Sequence, residues 1–105
     1  MIHHVVYFQL QDGVDQTTLV DLVRTSRSQL LRVPEVLAVR SGRNTDPLSQ
    51  WHFCFSIEVG SLEKLRIVLD DPFYFKLLEK TLRPLAVSDF NLTYELDPSR
   101  DLKYS

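Results

Sequence analysis

Three histidines, four tyrosines and a single cysteine carry most of the reactive chemistry available to this 105-residue chain. An imidazole has a reference pKa of about 6.5 and can take a proton near neutrality, so His3, His4 and His52 are the first candidates for a base or a metal ligand. His3 and His4 are adjacent on what reads as a strand and therefore point to opposite faces. Antiparallel pairing would set His52 against the far end of that strand, about six residues at roughly 3.3 Å each from His3 and His4, too far for one ion. Only a two-fold axis passing close to His3 or His52 would build a shared metal site, so none is expected. A second candidate is Asp71-Pro72-Phe73-Tyr74-Phe75, which places three consecutive aromatics in the first turn of a helix. Neighbouring helical residues are about 100° apart, so the three rings cannot all face one core. At least one of them faces a pocket, a partner or water. Arg40, Arg43 and Asn44 close to a turn could hold an anion, although solvated loop charge is the default for such a group. No Gly-rich phosphate loop, Ser-His-Asp spacing or paired-carboxylate arrangement stands out, and Asp70-Asp71 reads as helix punctuation.

These residues need elements to position them. From Ile2 to Leu10 the chain alternates, with His4, Val6, Phe8 and Leu10 on one side and His3, Val5, Tyr7 and Gln9 on the other, before Asp12-Gly13 ends the strand. Asp15 can cap a helix in which Leu19, Leu22, Val23, Ser26 and Leu30 recur at helical spacing, stopping near Val33-Pro34. Val36 to Ser41 reads as a short second strand closed by Gly42-Arg43-Asn44. In the third strand, Trp51, Phe53, Phe55, Ile57 and Val59 point one way and His52, Cys54, Ser56 and Glu58 the other. Ser61 is an N-cap candidate for a helix through Leu62, Leu65, Val68 and Leu69. That helix pauses at Asp70-Asp71-Pro72, and a second piece runs through Leu77, Leu78 and Leu82 to Arg83-Pro84. Phe90, Leu92, Tyr94 and Leu96 alternate with polar residues as a fourth strand.

The period is β-α-β-β-α-β. Right-handed crossovers then give an α+β, ferredoxin-like sandwich, a four-stranded antiparallel sheet in the order 4-1-3-2 with both helices on one face. The helix-covered face is expected to carry His4, Val6, Phe8, Trp51, Phe53, Phe55, Ile57, Phe90, Leu92 and Tyr94. The other face would hold His3, Val5, Tyr7, His52, Cys54, Ser56, Asn91 and Thr93, a mixed surface awkward to leave in water. Packing it on the same face of a second copy would cover both, with His3, Val5, Tyr7, His52 and Cys54 at the dimer interface.

Composition narrows the classes further. Hydrophobic residues make up 44% and charged residues 25% of the chain, which suits one globular domain over residues 1–96 with a tail at 97–105. A net charge of −2 without basic clustering speaks against nucleic acid as a partner. Cys54 is the sole cysteine, so no internal disulfide is available. No apolar run is long enough for a membrane span and no leader pattern opens the chain, so a cytoplasmic protein is expected.

Met1-Ile2-His3-His4-Val5-Val6-Tyr7-Phe8-Gln9-Leu10, Gly42-Arg43-Asn44, Trp51 to Glu58, Asp71-Pro72-Phe73-Tyr74 and Leu82-Arg83-Pro84-Leu85 together resemble the stress-responsive dimeric α/β barrel (Dabb) family. The resemblance covers residues 1 to about 96. It implies a homodimer whose two sheets close into a barrel, and varied use, from plant stress proteins to a polyketide cyclase and members with no known activity. A histidine near the start of strand one is typical of the family, and His4 takes that place. The family's His-Pro-x-His at the second helix, whose last histidine is the base in the cyclase branch, is lost here, because Asp71 and Tyr74 stand at those positions. Tyrosine, with a pKa of about 10, is a poor base but a competent hydrogen-bond donor. The expectation is a domain without established catalysis or cofactor that binds a small apolar or aromatic ligand, or is structural. His4 and Tyr74 are the only catalytic pair on offer, and Phe8, Trp51, Phe53, Phe73 and Tyr94 are the expected ligand contacts. The alternative is a polyketide-cyclase, isomerase or cofactor-free monooxygenase acting on a phenol. Haem, which relatives of this architecture bind with an Asn, Trp and His set, is discounted, since Asn44 and Trp51 are present but the helix-two histidine is not.

Overall fold

The computed structural model describes residues 1–96. Its order is β1 (Ile2–Leu10), α1 (Gln16–Leu30), β2 (Ala38–Arg43), β3 (Phe53–Val59), α2 (Leu62–Leu69), α3 (Pro72–Lys76) and β4 (Ala86–Glu95). The four strands form one antiparallel sheet in the order β2-β3-β1-β4, the expected order read from its other edge. The fold is ferredoxin-like α+β. Among the described residues, no helix is long and apolar enough to cross a membrane.

Local chemistry sets most helix boundaries. Asp15 accepts a hydrogen bond from Thr18 N at 2.8 Å, and Ser61 caps α2 by accepting from Lys64 N at 3.2 Å. Asp71 accepts from Phe73 N at 2.7 Å, with Pro72 at the first helical position, where its missing N–H is no loss. Asp71→Ala should therefore cost about 1 kcal/mol of stability, read as a lower urea midpoint with an unchanged slope. Turn residues shift β2 two positions past expectation, because Val36 N still donates to Val33 O and the ladder starts only at Ala38.

Beyond α3 the helix widens. Leu77–Leu82 is π-helical, with Arg83 N–H reaching back to Leu78 O. The wider turn buries Leu77 and Leu82, five residues apart, and leaves Leu78 and Glu79 free for another surface. A short turn at Arg83–Leu85 then leads into β4.

The core lies between the sheet and the helices. Phe8 is fully buried, with its ring centroid 5.8 Å from Phe53 and 6.0 Å from Phe55. Ser26, buried on α1, donates to Val23 O and bonds Ser41 Oγ at 2.9 Å, tying that helix to β2.

One irregularity redirects a whole strand. Leu10 pairs with Ala86 and Gln9 with Ser88, so Val87 is an extra residue in the ladder. A one-residue slip turns every later side chain to the other face. Phe90, Leu92 and Tyr94, expected under the helices, lie opposite Tyr7, Val5 and His3 on the open face, while Asn91 and Thr93 join Val6 and His4 on the helix side. The sequence reading of β4 had the right period and the wrong phase.

The loop before β3 makes a second correction. Asn44 donates to Trp51 O at 2.9 Å, and Asp46 N donates to Asn44 Oδ1, which holds the segment in a tight turn. Regular alternation starts only at Phe53. Trp51, expected on the helix side, instead packs edge-on against Phe90 at 4.6 Å, and Phe90 stacks on Tyr7 at 4.8 Å. His52, expected at the dimer face, turns to the α1 end of the sheet, where its Nδ1 accepts from Leu10 N at 3.0 Å. The proposed tail at 97–105 lies outside the described residues.

Candidate functional site

Between the β1–β4 half of the sheet and the α3 to π-helical segment lies a cavity of about 290 Å³. His4 and Val6 reach it from β1, and Asp89 and Asn91 from β4. Its helical wall is Leu69, Tyr74, Phe75, Leu78, Glu79 and Arg83. Each arrives for a local reason: alternation brings in His4 and Val6, the Val87 bulge brings in Asp89 and Asn91, and the π turn presents Leu78, Glu79 and Arg83 together. The Asp71 cap aims Tyr74 inward, while Phe73 and Phe75 of the same turn stay exposed.

His4 and Tyr74 are each only 4% exposed. His4 Nδ1 is hydrogen-bonded to Thr93 Oγ1 at 2.8 Å, across the β1–β4 pairing. That bond fixes the ring and leaves Nε2 without a partner among the described residues. The Tyr74 hydroxyl likewise has none there, and its ring meets Phe55 edge-on at 6.1 Å. Arg83 Nη1 donates to Glu79 Oε1, and Arg83 Nε lies 3.5 Å from Asp89 Oδ2.

Burial, reinforced by the neighbouring His3, holds the His4 pKa below 6.5. The imidazole is neutral near pH 7 and available as an acceptor. Burial pushes Tyr74 up to about 12, with Arg83 opposing and Asp89 adding to the rise. Tyr74 is therefore a proton donor and not a base. The His4 shift also fixes a pH dependence of stability. Unfolded, His4 titrates near 6.5; folded, it titrates lower, so on acidification the unfolded chain binds the proton first. The contribution is intact above about 6.5 and is lost as pH falls through the folded value. Urea midpoints should drop across that window in the parent protein and drop less in His4→Gln; parallel curves would exclude the effect.

The expected ligand contacts do not gather here. Phe8 and Phe53 are core residues, Trp51 and Tyr94 sit with the open face, and Phe73 lies under the Arg32 guanidinium at 5.9 Å from its ring centroid. Trp51 and Phe53 instead border a second, open-face cavity of about 300 Å³ with Tyr7, Asn44, Cys54 and Phe90. Of the expected interface residues, His3, Val5, Tyr7 and Cys54 occupy the open face; His52 does not. Burial raises the Cys54 thiol pKa, so it packs as a small uncharged group. His3 Nδ1 is 3.6 Å from Glu58 Oε1, its cross-strand neighbour.

Glu79, Arg83, Asp89, Asn91 and Thr93 were absent from the sequence reading of the site. Asp89, Asn91 and Thr93 form the polar phase of β4, which reads as the face turned away from the helices until the bulge is known. Arg83 reads as a helix stop, and nothing in its neighbours signals a π turn.

Comparison with known proteins agrees with this architecture. No curated protein matches the sequence. A Dabb family protein of ferredoxin-like fold from Mesorhizobium loti superposes with a TM-score of 0.77 at 19% identity, over 90% of this chain and 95% of that one. A dimeric ferredoxin-like protein of unknown function from Thermobifida fusca gives 0.79 at 16% identity, covering 90% of each chain. Hydroxynitrile lyase from Passiflora edulis gives 0.77 at 11% identity, over 95% and 96%. At such identities the likeness is one of fold. Residues 2–92 also match the family described as the Stress responsive A/B Barrel Domain, and on that match, spanning nearly every element described, the chain belongs to that family.

Proposed function

We propose that this protein is a homodimeric small-molecule-binding domain whose ligand, a compact hydroxylated or carbonyl-bearing aromatic, sits in the His4–Tyr74 cavity. One observation carries this reading: two polar side chains, each nine-tenths or more buried, leave Nε2 and a phenol hydroxyl unpartnered beside one cavity. Among the described residues the one sealed side-chain atom without a partner is His3 Nδ1, so His4 Nε2 and the Tyr74 hydroxyl stay reachable and offer an acceptor and a donor to an entering molecule. The dimer is supported by the apolar open face and by the dimeric state of the Thermobifida fusca relative. At 37%, 39% and 51% exposure, Phe90, Leu92 and Tyr94 form with Val5 and Tyr7 a continuous apolar surface, the kind that a second copy covers.

A second reading has the same cavity carry out acid–base chemistry. It is favoured by His4 being held neutral by burial, oriented by Thr93, and set across from a phenol that stays protonated. His4 Nε2 would accept a proton from an acidic C–H or O–H of the ligand, while the Tyr74 hydroxyl hydrogen-bonds the oxygen on which charge develops. Hydroxynitrile lyase from Passiflora edulis lends an enzymatic precedent on this fold.

Titration with para-hydroxyacetophenone, followed by NMR at the His4 ring and Tyr74, should give saturable shifts that vanish in a His4→Ala, Tyr74→Phe double variant. Equal binding by the double variant would remove the cavity as the site.

A further inference from the structure

Among the described residues Arg83 is the cavity's one formal cation, and a guanidinium in a pocket would ordinarily suggest a carboxylate or phosphate ligand. Its surroundings argue the reverse. Arg83 Nη1 donates to Glu79 Oε1 and its Nε faces Asp89 Oδ2 at 3.5 Å, so two carboxylates already flank one guanidinium. The Asp89 carboxylate makes no hydrogen bond within the described residues beyond its approach to Arg83, and like Glu79 and Arg83 it lines the cavity. With His4 and Tyr74 uncharged, the described lining of Glu79, Asp89 and Arg83 carries one net negative charge. Of the remaining walls, Val6, Leu69, Phe75 and Leu78 are apolar and Asn91 offers only a neutral amide, so no further cation balances an entering anion.

Resting on the small-molecule reading above, we infer that the cavity is built for a cationic ligand, an aromatic amine bearing a hydroxyl, and discriminates against anions of the same shape. The ammonium would sit at Asp89, in a cavity that Phe75 also lines. The ligand's hydroxyl would meet His4 Nε2 and the Tyr74 hydroxyl, which make no hydrogen bond among the described residues. Uncharged analogues would keep the hydroxyl contacts and lose the charge.

Tyramine, tyrosol and para-hydroxyphenylacetate test this directly, since they share a phenol and nearly the same length and differ in the terminal charge. NMR titrations of the full chain at neutral pH should rank them tyramine, tyrosol, para-hydroxyphenylacetate, with about tenfold or more between the first and last. Asp89→Asn should bring the amine and the acid to within about threefold of each other. Glu79→Gln, on a more exposed helical position, should move them the same way and serves if Asp89→Asn does not fold. An acid that binds as tightly as the amine, or an amine no better than tyrosol, overturns the charge inference while leaving the cavity reading standing. No saturable shift with any of the three, nor with para-hydroxyacetophenone, overturns both.

Discussion

Leu92→Asp is expected to convert the protein from a dimer into a folded monomer. Leu92 lies opposite Val5 at the middle of the open face, between Phe90 and Tyr94, and is 39% exposed in the single chain. In a face-to-face pair the variant would bury one unpaired carboxylate from each copy, at several kcal/mol apiece. Each 1.4 kcal/mol is a factor of ten in affinity, so the dissociation constant should rise by about a thousandfold or more. Light scattering at micromolar concentration should show the mass halved, with the far-UV circular dichroism of the sheet retained. A Leu92→Asp protein of unchanged mass would mean that the copies meet elsewhere or that the open face has another partner.

Phe8→Ala is expected to cost about 3–5 kcal/mol, a large share of the roughly 5–15 kcal/mol that holds a domain of this size together. Phe8 is fully buried and touches the rings of both Phe53 and Phe55, so its removal leaves a hole that rigid strand backbones cannot close. Phe73→Ala, on an exposed ring beneath the Arg32 guanidinium, should cost less than about 1 kcal/mol. Chemical denaturation at one fixed protein concentration separates the two, because the proposed pairing would make the midpoint depend on concentration. A loss of under about 1 kcal/mol for Phe8→Ala would show that the core repacks around the missing ring.

Much of the architecture was legible in the sequence because its causes are local. Period-two alternation in Ile2–Leu10 and Phe53–Val59 corresponds to strands buried on one side, and Asp15, Ser61 and Asp71 cap helices because a short side-chain oxygen reaches a free N–H within the next three residues. Strand order followed from connection length and handedness. Each of these depends on residues a few positions apart.

The site was legible only in part, and the largest single reason is one residue. Val87 bulges out of the β1–β4 ladder, and that slip decides whether Phe90, Leu92 and Tyr94 or Asp89, Asn91 and Thr93 meet the cavity. Alternation fixes which residues share a face, but not which face they share. Trp51 and His52 were misplaced in the same way, by a loop whose side-chain bonds turn the chain just before β3. Sequence alone therefore determined the fold class and the caps, but left open which ring of the Asp71 to Phe75 run turns inward. Tertiary structure decided the phase of β4, the Arg83 cluster with Glu79 and Asp89, and the Thr93 bond that orients His4. All three depend on register between strands far apart in the chain, where a one-residue shift costs little locally and exchanges one face for the other.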